Sequence, residues 1–372
     1  MKISRISVWR KTLPLRKPYW FSGGRLKVDS LDSTFVRIDT DEGVQGWGEG
    51  CPWGHSYIPA FGGGMRAAIE LLAGTLIGED PRDIGRLNRA MDSCLPGHPY
   101  AKAPLDIALW DIAGQLAKVP LFQLLGGAEG DSVPVNSSIS TGSPEEMIAL
   151  IEAARAQGYR THSAKVGGED PDLDIARIEA IEAARAPEEF ITYDVNRAWT
   201  PDLAVTVMNS VSARGWFEQP CETLDQCTRL RRHVTQPIML DECLQDFQDH
   251  LTAWREDACE GVKVKPNRLG GLTKARQARD FGVAVGWRMH VEDVGGTVVA
   301  DTAALHLALS TPAEHRLASW LCQAHLIDDP APGKGARNRA GLVALPEEPG
   351  LGVAPDEAWL GEPFAIHESP AP

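Results

Sequence analysis

Residues 215–242 read GWFEQPCETLDQCTRLRRHVTQPIMLDE. Two short apolar runs stand at its ends, 215–220 and 237–242. Each closes on acid: Glu218 in the first, Asp241 and Glu242 in the second. Between them, residues 223–234 have the mixed apolar and charged pattern of an amphipathic helix. Strand, helix and strand in 28 residues argue for a βαβ unit and a parallel sheet.

The same grammar recurs on both sides. Strand-like runs stand at 132–140 (SVPVNSSIS), 160–166 (RTHSAKV), 190–196 (FITYDVN), 261–266 (GVKVKP), 286–292 (GWRMHVE) and 315–320 (HRLASW). Helical stretches such as 143–158, 172–186 and 272–282 lie between them. Eight such strands point to a closed α/β barrel rather than an open sheet. The first 128 residues read differently. Residues 1–50 alternate as strands, with TDEG (40–43) as a turn. Residues 64–125 are helical by period, with Asp80-Pro81 as the expected start of the second helix. The chain therefore divides into an α+β unit (1–128), a barrel (129–325) and a Pro- and Gly-rich tail (326–372) expected to pack back on the first unit.

The formal net charge of −14 argues against nucleic-acid and anionic-membrane partners, which need a basic face. No run of 18 apolar residues exists, and the N-terminus lacks the apolar centre of a signal peptide. Seven scattered cysteines show no CxxC pair and no zinc spacing, which fits reduced thiols in a cytoplasm.

In a parallel barrel the site lies at the C-terminal strand ends. Strand two ends in Lys165. Strand three ends in Asp194, with Asn196 beyond it. Strand four ends in Glu218, strand five in Asp241 and Glu242, strand six in Lys263 and Lys265, and strand seven in His290, Glu292 and Asp293. Strand eight ends in Trp320. Converging carboxylates repel unless they are protonated or hold a cation, and oxygen ligands are what Mg²⁺ prefers. Lysines at strands two and six oppose each other across an eight-stranded ring. A desolvated lysine near a divalent cation can serve as a general base near neutral pH. Lys263 shares the parity of Lys265 one pleat deeper and is expected to face the acids.

These pieces together resemble the enolase superfamily, muconate lactonizing enzyme subgroup: SAKVGG, YDVNRAW, FEQP, LDEC and VKVKPNRLGGLTKA, with EGVQGWGEG, AKAPLDIALWDIAGQ and PLFQLLGG in the first unit. The resemblance implies a capping domain over a modified TIM barrel, (β/α)7β. It implies Mg²⁺ on Asp194, Glu218 and Asp241, with Glu242 as a close partner of Lys265. It implies Lys165 and Lys265 as acid/base catalysts that remove the proton α to a carboxylate and give an enediolate. Many relatives carry Lys-x-Lys on strand two, where this chain has Ser163. The subgroup that pairs a strand-seven His with a strand-six Asp is matched only at His290, which is read as a lining residue.

Tyr19, Trp20, Trp53, His55, Tyr57 and Trp320 are expected to wall the substrate. Such rings suit a cation, and Asp293 or Glu292 could pair with an ammonium. Within the family the chain resembles most the branch that acts on proline derivatives. That implies loss of water from cis-3-hydroxy-L-proline, with 2-epimerisation of proline betaine or 4-hydroxyproline betaine as the alternative. In the cis isomer the α-proton and the hydroxyl lie on opposite ring faces, which suits two opposed lysines. A homo-oligomer is expected by default.

Overall fold

The structure, a computed structural model, describes residues 1–368 apart from residues 22, 23, 25, 169 and 345. The N-terminal part is built on an antiparallel sheet. Strands β1 (Ile3–Phe21) and β2 (Leu26–Thr40) form a long hairpin, with Val8 opposite Val36 and Tyr19 opposite Val28. Strand β3 (Gln45–Gly50) returns after the TDEG turn, where the Thr40 hydroxyl donates to the Val44 carbonyl and accepts its N–H. Glycines 46, 48 and 50 leave one face of β3 bare. The helix Pro99–Ala117 lies on that face. A Cβ added to Gly46 would stand 2.1 Å from the Ala108 carbonyl oxygen, and one added to Gly48 would stand 2.0 Å from that of Pro104.

The helix expected to start at Asp80-Pro81 starts at Ile84. The Asp80 carboxylate takes the Arg82 N–H at 3.0 Å as well as its guanidinium, so residues 80–83 close a turn of their own before the helix begins. The third helix begins at Pro99, where a proline in the first turn loses no hydrogen bond.

A short strand β4 (Ser132–Pro134) leads into the barrel. Its eight parallel strands are β5 (Asn136–Ile139), β6 (Thr161–Lys165), β7 (Phe190–Asp194), β8 (Trp216–Glu218), β9 (Ile238–Leu240), β10 (Gly261–Val264), β11 (Arg288–Val291) and β12 (Arg316–Ala318). They neighbour one another in that order. The ring closes where Val135 bridges Ser319: the Asn136 N–H donates to the Ser319 carbonyl at 2.8 Å, and the Ser319 N–H to the Pro134 carbonyl at 2.9 Å. Helical crossovers link each successive pair of strands, and β12 leads directly into a 3-10 turn at Cys322–His325 instead of an eighth crossover helix. This is the (β/α)7β order. The tail adds β13 (Leu342–Ala344), paired with β4, and β14 (Ala365–Glu368), paired with β1 on the N-terminal sheet. Among the described residues no helix is long and apolar enough to cross a membrane.

Two buried carboxylates of the N-terminal part seat it on the barrel. Glu49, at the end of β3, accepts the Thr297 N–H at 2.9 and 3.0 Å and the Ala300 N–H at 3.2 Å, at the start of the helix Val298–Leu309. Asp106 accepts the Thr273 N–H at 2.9 Å, at the start of the helix Leu272–Val285. Unpaired N–H groups and the helix dipole make such termini ready anion sites. Burial pushes both carboxyls up from their ordinary values, and the hydrogen bonds pull them back.

Candidate active site

The strand ends converge on one cleft, lined by side chains of both the barrel and the N-terminal part. Lys165, Asp194 and Glu218 are register partners across β6, β7 and β8, so three charged groups stand side by side. Residues two apart share a face, so Lys263 and Lys265 both point inward from β10 and its end. In the ring, β6 and β10 are four strands apart. Lys165 and Lys265 therefore approach the cleft from opposite sides, with the acids between them.

Each ammonium is held by carboxylate. Lys165 pairs with Asp194. Lys263 stands 3.1 Å from Glu218 and 2.9 Å from Glu292, and Lys265 2.9 Å from Asp241 and 3.8 Å from Glu292. Arg268, buried behind the site, donates to the Asp241 carboxylate and to its carbonyl, both at 2.6 Å. Burial acts against charge at Asp241, but Arg268 and Lys265 outweigh it and hold the carboxyl well below the usual range. Glu292 is likewise held low: burial acts against its charge, and Lys263, His290 and Lys265 together outweigh it. Burial works against the Lys165 ammonium as well, but Asp194, Tyr19 and Glu218 together overcome it and raise the group. Glu218 goes the other way: burial, then the neighbouring Asp194 charge, pushes its carboxyl well up.

The second oxygen of Glu218 is buried and has no hydrogen-bond partner among the described residues. A desolvated carboxylate cluster with an orphaned oxygen, beside Asp194 and Asp241, fits a hard divalent cation by its donor chemistry. As the side chains stand, no three carboxylate, imidazole or thiol groups among the described residues converge on one point, because the lysines take the oxygens.

Glu242, expected as a close partner of Lys265, feels the Lys265 charge, while the ammonium itself pairs with Asp241. Glu242 lies two residues past the strand end, where its carboxylate accepts the Asn196 amide at 3.1 Å, and Arg197 stands 3.9 Å away. Asn196 also donates its N–H to Asp194 at 3.0 Å. Asp293 lines the cleft but accepts the Asn267 amide at 2.7 Å and the Val294 N–H at 2.8 Å, and burial pushes it up to about 7. His290 is buried, lies outside the cleft lining and has a ring nitrogen 3.7 Å from Glu292; burial, then Lys263, lowers it.

The aromatic wall is partly as expected. Tyr19, Trp53, Tyr57 and Trp320 line the cleft, and Tyr57 donates to Asp241 at 3.4 Å. Trp53 meets Tyr19 edge-on at 5.3 Å and Trp320 at 5.8 Å. Trp20 and His55 are not brought there. Residues 19–21 are strand, so Tyr19 and Phe21 face the cleft while Trp20 faces out, 50% exposed, with the Lys27 ammonium 5.7 Å from its ring. His55 is exposed on its loop. Phe21, Asn136 and Ser138 were missed by the sequence reading; strand alternation through Tyr19 was the signal that could have found Phe21.

Residues 5–126 match the family described as mandelate racemase / muconate lactonizing enzyme, N-terminal domain, and residues 146–359 match the one described as enolase C-terminal domain-like. The chain belongs to the enolase superfamily, in its mandelate racemase / muconate lactonizing enzyme family. It is 40% identical to a cis-3-hydroxy-L-proline dehydratase of Roseibium aggregatum, over 98% of this chain and 99% of that one. It is 29% identical to an N-succinyl-L-Arg/Lys racemase of Bacillus cereus, over 97% of this chain and 98% of the relative. A solved member of the enolase superfamily from Roseovarius nubinhibens ISM, complexed with magnesium, is 64% identical, with a TM-score of 0.95 over 99% of this chain and all of that one.

Proposed function

We propose that this chain is a Mg²⁺-dependent lyase that removes water from cis-3-hydroxy-L-proline. One observation carries the reading: two buried ammonium groups enter one cleft from opposite sides, with three strand-end acids between them and aromatic rings above. The dehydratase similar over nearly the whole chain supports the substrate.

Asp194, Glu218 and Asp241 would hold Mg²⁺, whose charge would stabilise the negative charge that builds on the substrate carboxylate. With Asp194 engaged as a metal ligand, Lys165 would lose the partner that holds its charge and, as free amine, take the proton from C2. The C2–C3 double bond forms as the C3–O bond breaks. Lys265 gives a proton to the departing hydroxide, which leaves as water. The enamine then tautomerises to Δ1-pyrroline-2-carboxylate. Opposed lysines suit this anti elimination.

The test is incubation with cis-3-hydroxy-L-proline and detection of the cyclic imine with o-aminobenzaldehyde. Absence of imine, with solvent deuterium entering C2 of a proline betaine, would replace this reading by the epimerase. Chelation with EDTA is expected to lower imine formation by about a thousandfold or more, and added Mg²⁺ to restore it; activity that survives dialysis against chelator would refute the metal requirement. Phe21→Ala is expected to raise KM about tenfold, the loss of roughly 1.4 kcal/mol of aromatic contact. Trp20→Ala is expected to leave KM within about twofold, because its ring faces away from the cleft. Steady-state kinetics on both variants check the assignment of faces.

A further inference from the structure

Gln219 directly follows Glu218 and is fully buried, yet it does not line the cleft. Its backbone stands at φ 38°, a left-handed conformation that a residue with a Cβ adopts only when its surroundings hold it there.

The holding contacts are specific. The β8–β9 ladder ends at Glu218 opposite Met239, and the Gln219 N–H extends it by one bond, to the Met239 carbonyl at 2.9 Å. Beyond that point the backbones part, and the Gln219 side chain takes over. Its amide oxygen accepts the Asp241 N–H at 2.9 Å and the Cys243 N–H at 3.2 Å. Its amide nitrogen donates to the Cys221 carbonyl at 2.9 Å and stands 3.7 Å from the Cys227 sulfur. Its own carbonyl accepts the Arg197 N–H at 2.9 Å. One residue thus ties together the segments that leave β7, β8 and β9, the three strands that end in Asp194, Glu218 and Asp241. Asp241 is gripped from both sides, its N–H by Gln219 and its carbonyl by Arg268.

We propose that Gln219 is a positioning residue: its side-chain carbonyl sets the backbone of Asp241, and so the spacing of the three acids as a cation site. The inference rests on the Mg²⁺ reading above. Partners that orient ligands without touching the metal typically change metal affinity 10- to 100-fold when removed.

The test is Mn²⁺ titration followed by electron paramagnetic resonance, with no substrate present. Gln219→Met keeps the bulk and loses every side-chain hydrogen bond except a weak one. It is expected to weaken Mn²⁺ binding about tenfold or more. Gln219→Glu keeps an accepting oxygen for Asp241 and is expected to stay within about threefold of wild type, as is Cys227→Ala, which removes only the sulfur contact. A folded Gln219→Met variant with Mn²⁺ affinity within threefold of wild type overturns the proposal. Should that variant not fold, Gln219→Glu decides it: a tenfold loss at an unchanged Tm overturns the proposal, and retention supports it. Failure of the wild-type chain to bind Mn²⁺ at all overturns the metal reading and this inference together, whereas wild-type binding that no Gln219 variant alters overturns this inference alone.

Discussion

Lys165→Ala is expected to lower kcat for water loss from cis-3-hydroxy-L-proline by about 10²–10⁴-fold, the usual contribution of a positioned acid or base. The same scale is expected for Lys265→Ala, but the two variants should differ in what survives. Lys165 ends β6 and Lys265 follows β10, on opposite sides of the cleft, so each reaches one face of a flat ring. In heavy water, a chain that keeps its base and lacks its acid still exchanges the C2 proton without losing hydroxide. Lys265→Ala is therefore expected to wash deuterium into unreacted substrate, and Lys165→Ala to abolish exchange and elimination alike. NMR of recovered substrate separates the two. The opposite pattern would interchange the roles of the lysines, and equal exchange in both variants would remove Lys165 and Lys265 from the chemistry. Each variant also leaves a carboxylate without its ammonium, Asp194 or Asp241, so melting temperatures must accompany the rates.

Gly48→Ala is expected to cost about 3 kcal/mol or more of stability, although the site residues are untouched. Overpacking usually costs roughly 1–3 kcal/mol when side chains can yield. Here the obstacle is the Pro104 carbonyl of a buried helix, 2.0 Å from the new carbon, and backbone cannot rotate away. Sheet and helix would have to separate along β3, which also carries Glu49 and its grip on the barrel. Thermal unfolding of the variant checks this. Gln45→Ala, exposed at the start of β3, serves as a control expected to stay within about 1 kcal/mol. A Gly48→Ala variant as stable as wild type would show that the helix rides on β3 with room to spare.

Much of this was legible in the sequence because barrel strands announce themselves twice, by short apolar runs and by charge at one end. The run 190–196 gave both β7 and Asp194, and 261–266 gave both β10 and its two inward lysines. What escaped depended on direction rather than on residue type. Trp20 has the chemistry of a cation-binding ring, but a two-residue period turns it outward and brings in Phe21. Glu242 is the second residue past the end of β9, and its carboxylate accepts the Asn196 amide while the Lys265 ammonium pairs with Asp241. Arg268 and Gln219 were invisible for another reason. Both act on peptide groups of Asp241, and a hydrogen bond from a side chain to a distant backbone leaves no periodic trace.

Glu49 and Asp106 seat the N-terminal part on the starts of two barrel helices. Their consequence is thermodynamic. Parting the two bodies would strip both carboxylates of the N–H groups they hold and leave two helix starts without partners. An intermediate with one half melted would bear that cost without the entropy gained by melting the other. The chain should therefore denature in one cooperative transition, with no plateau in which a folded barrel outlives its cap.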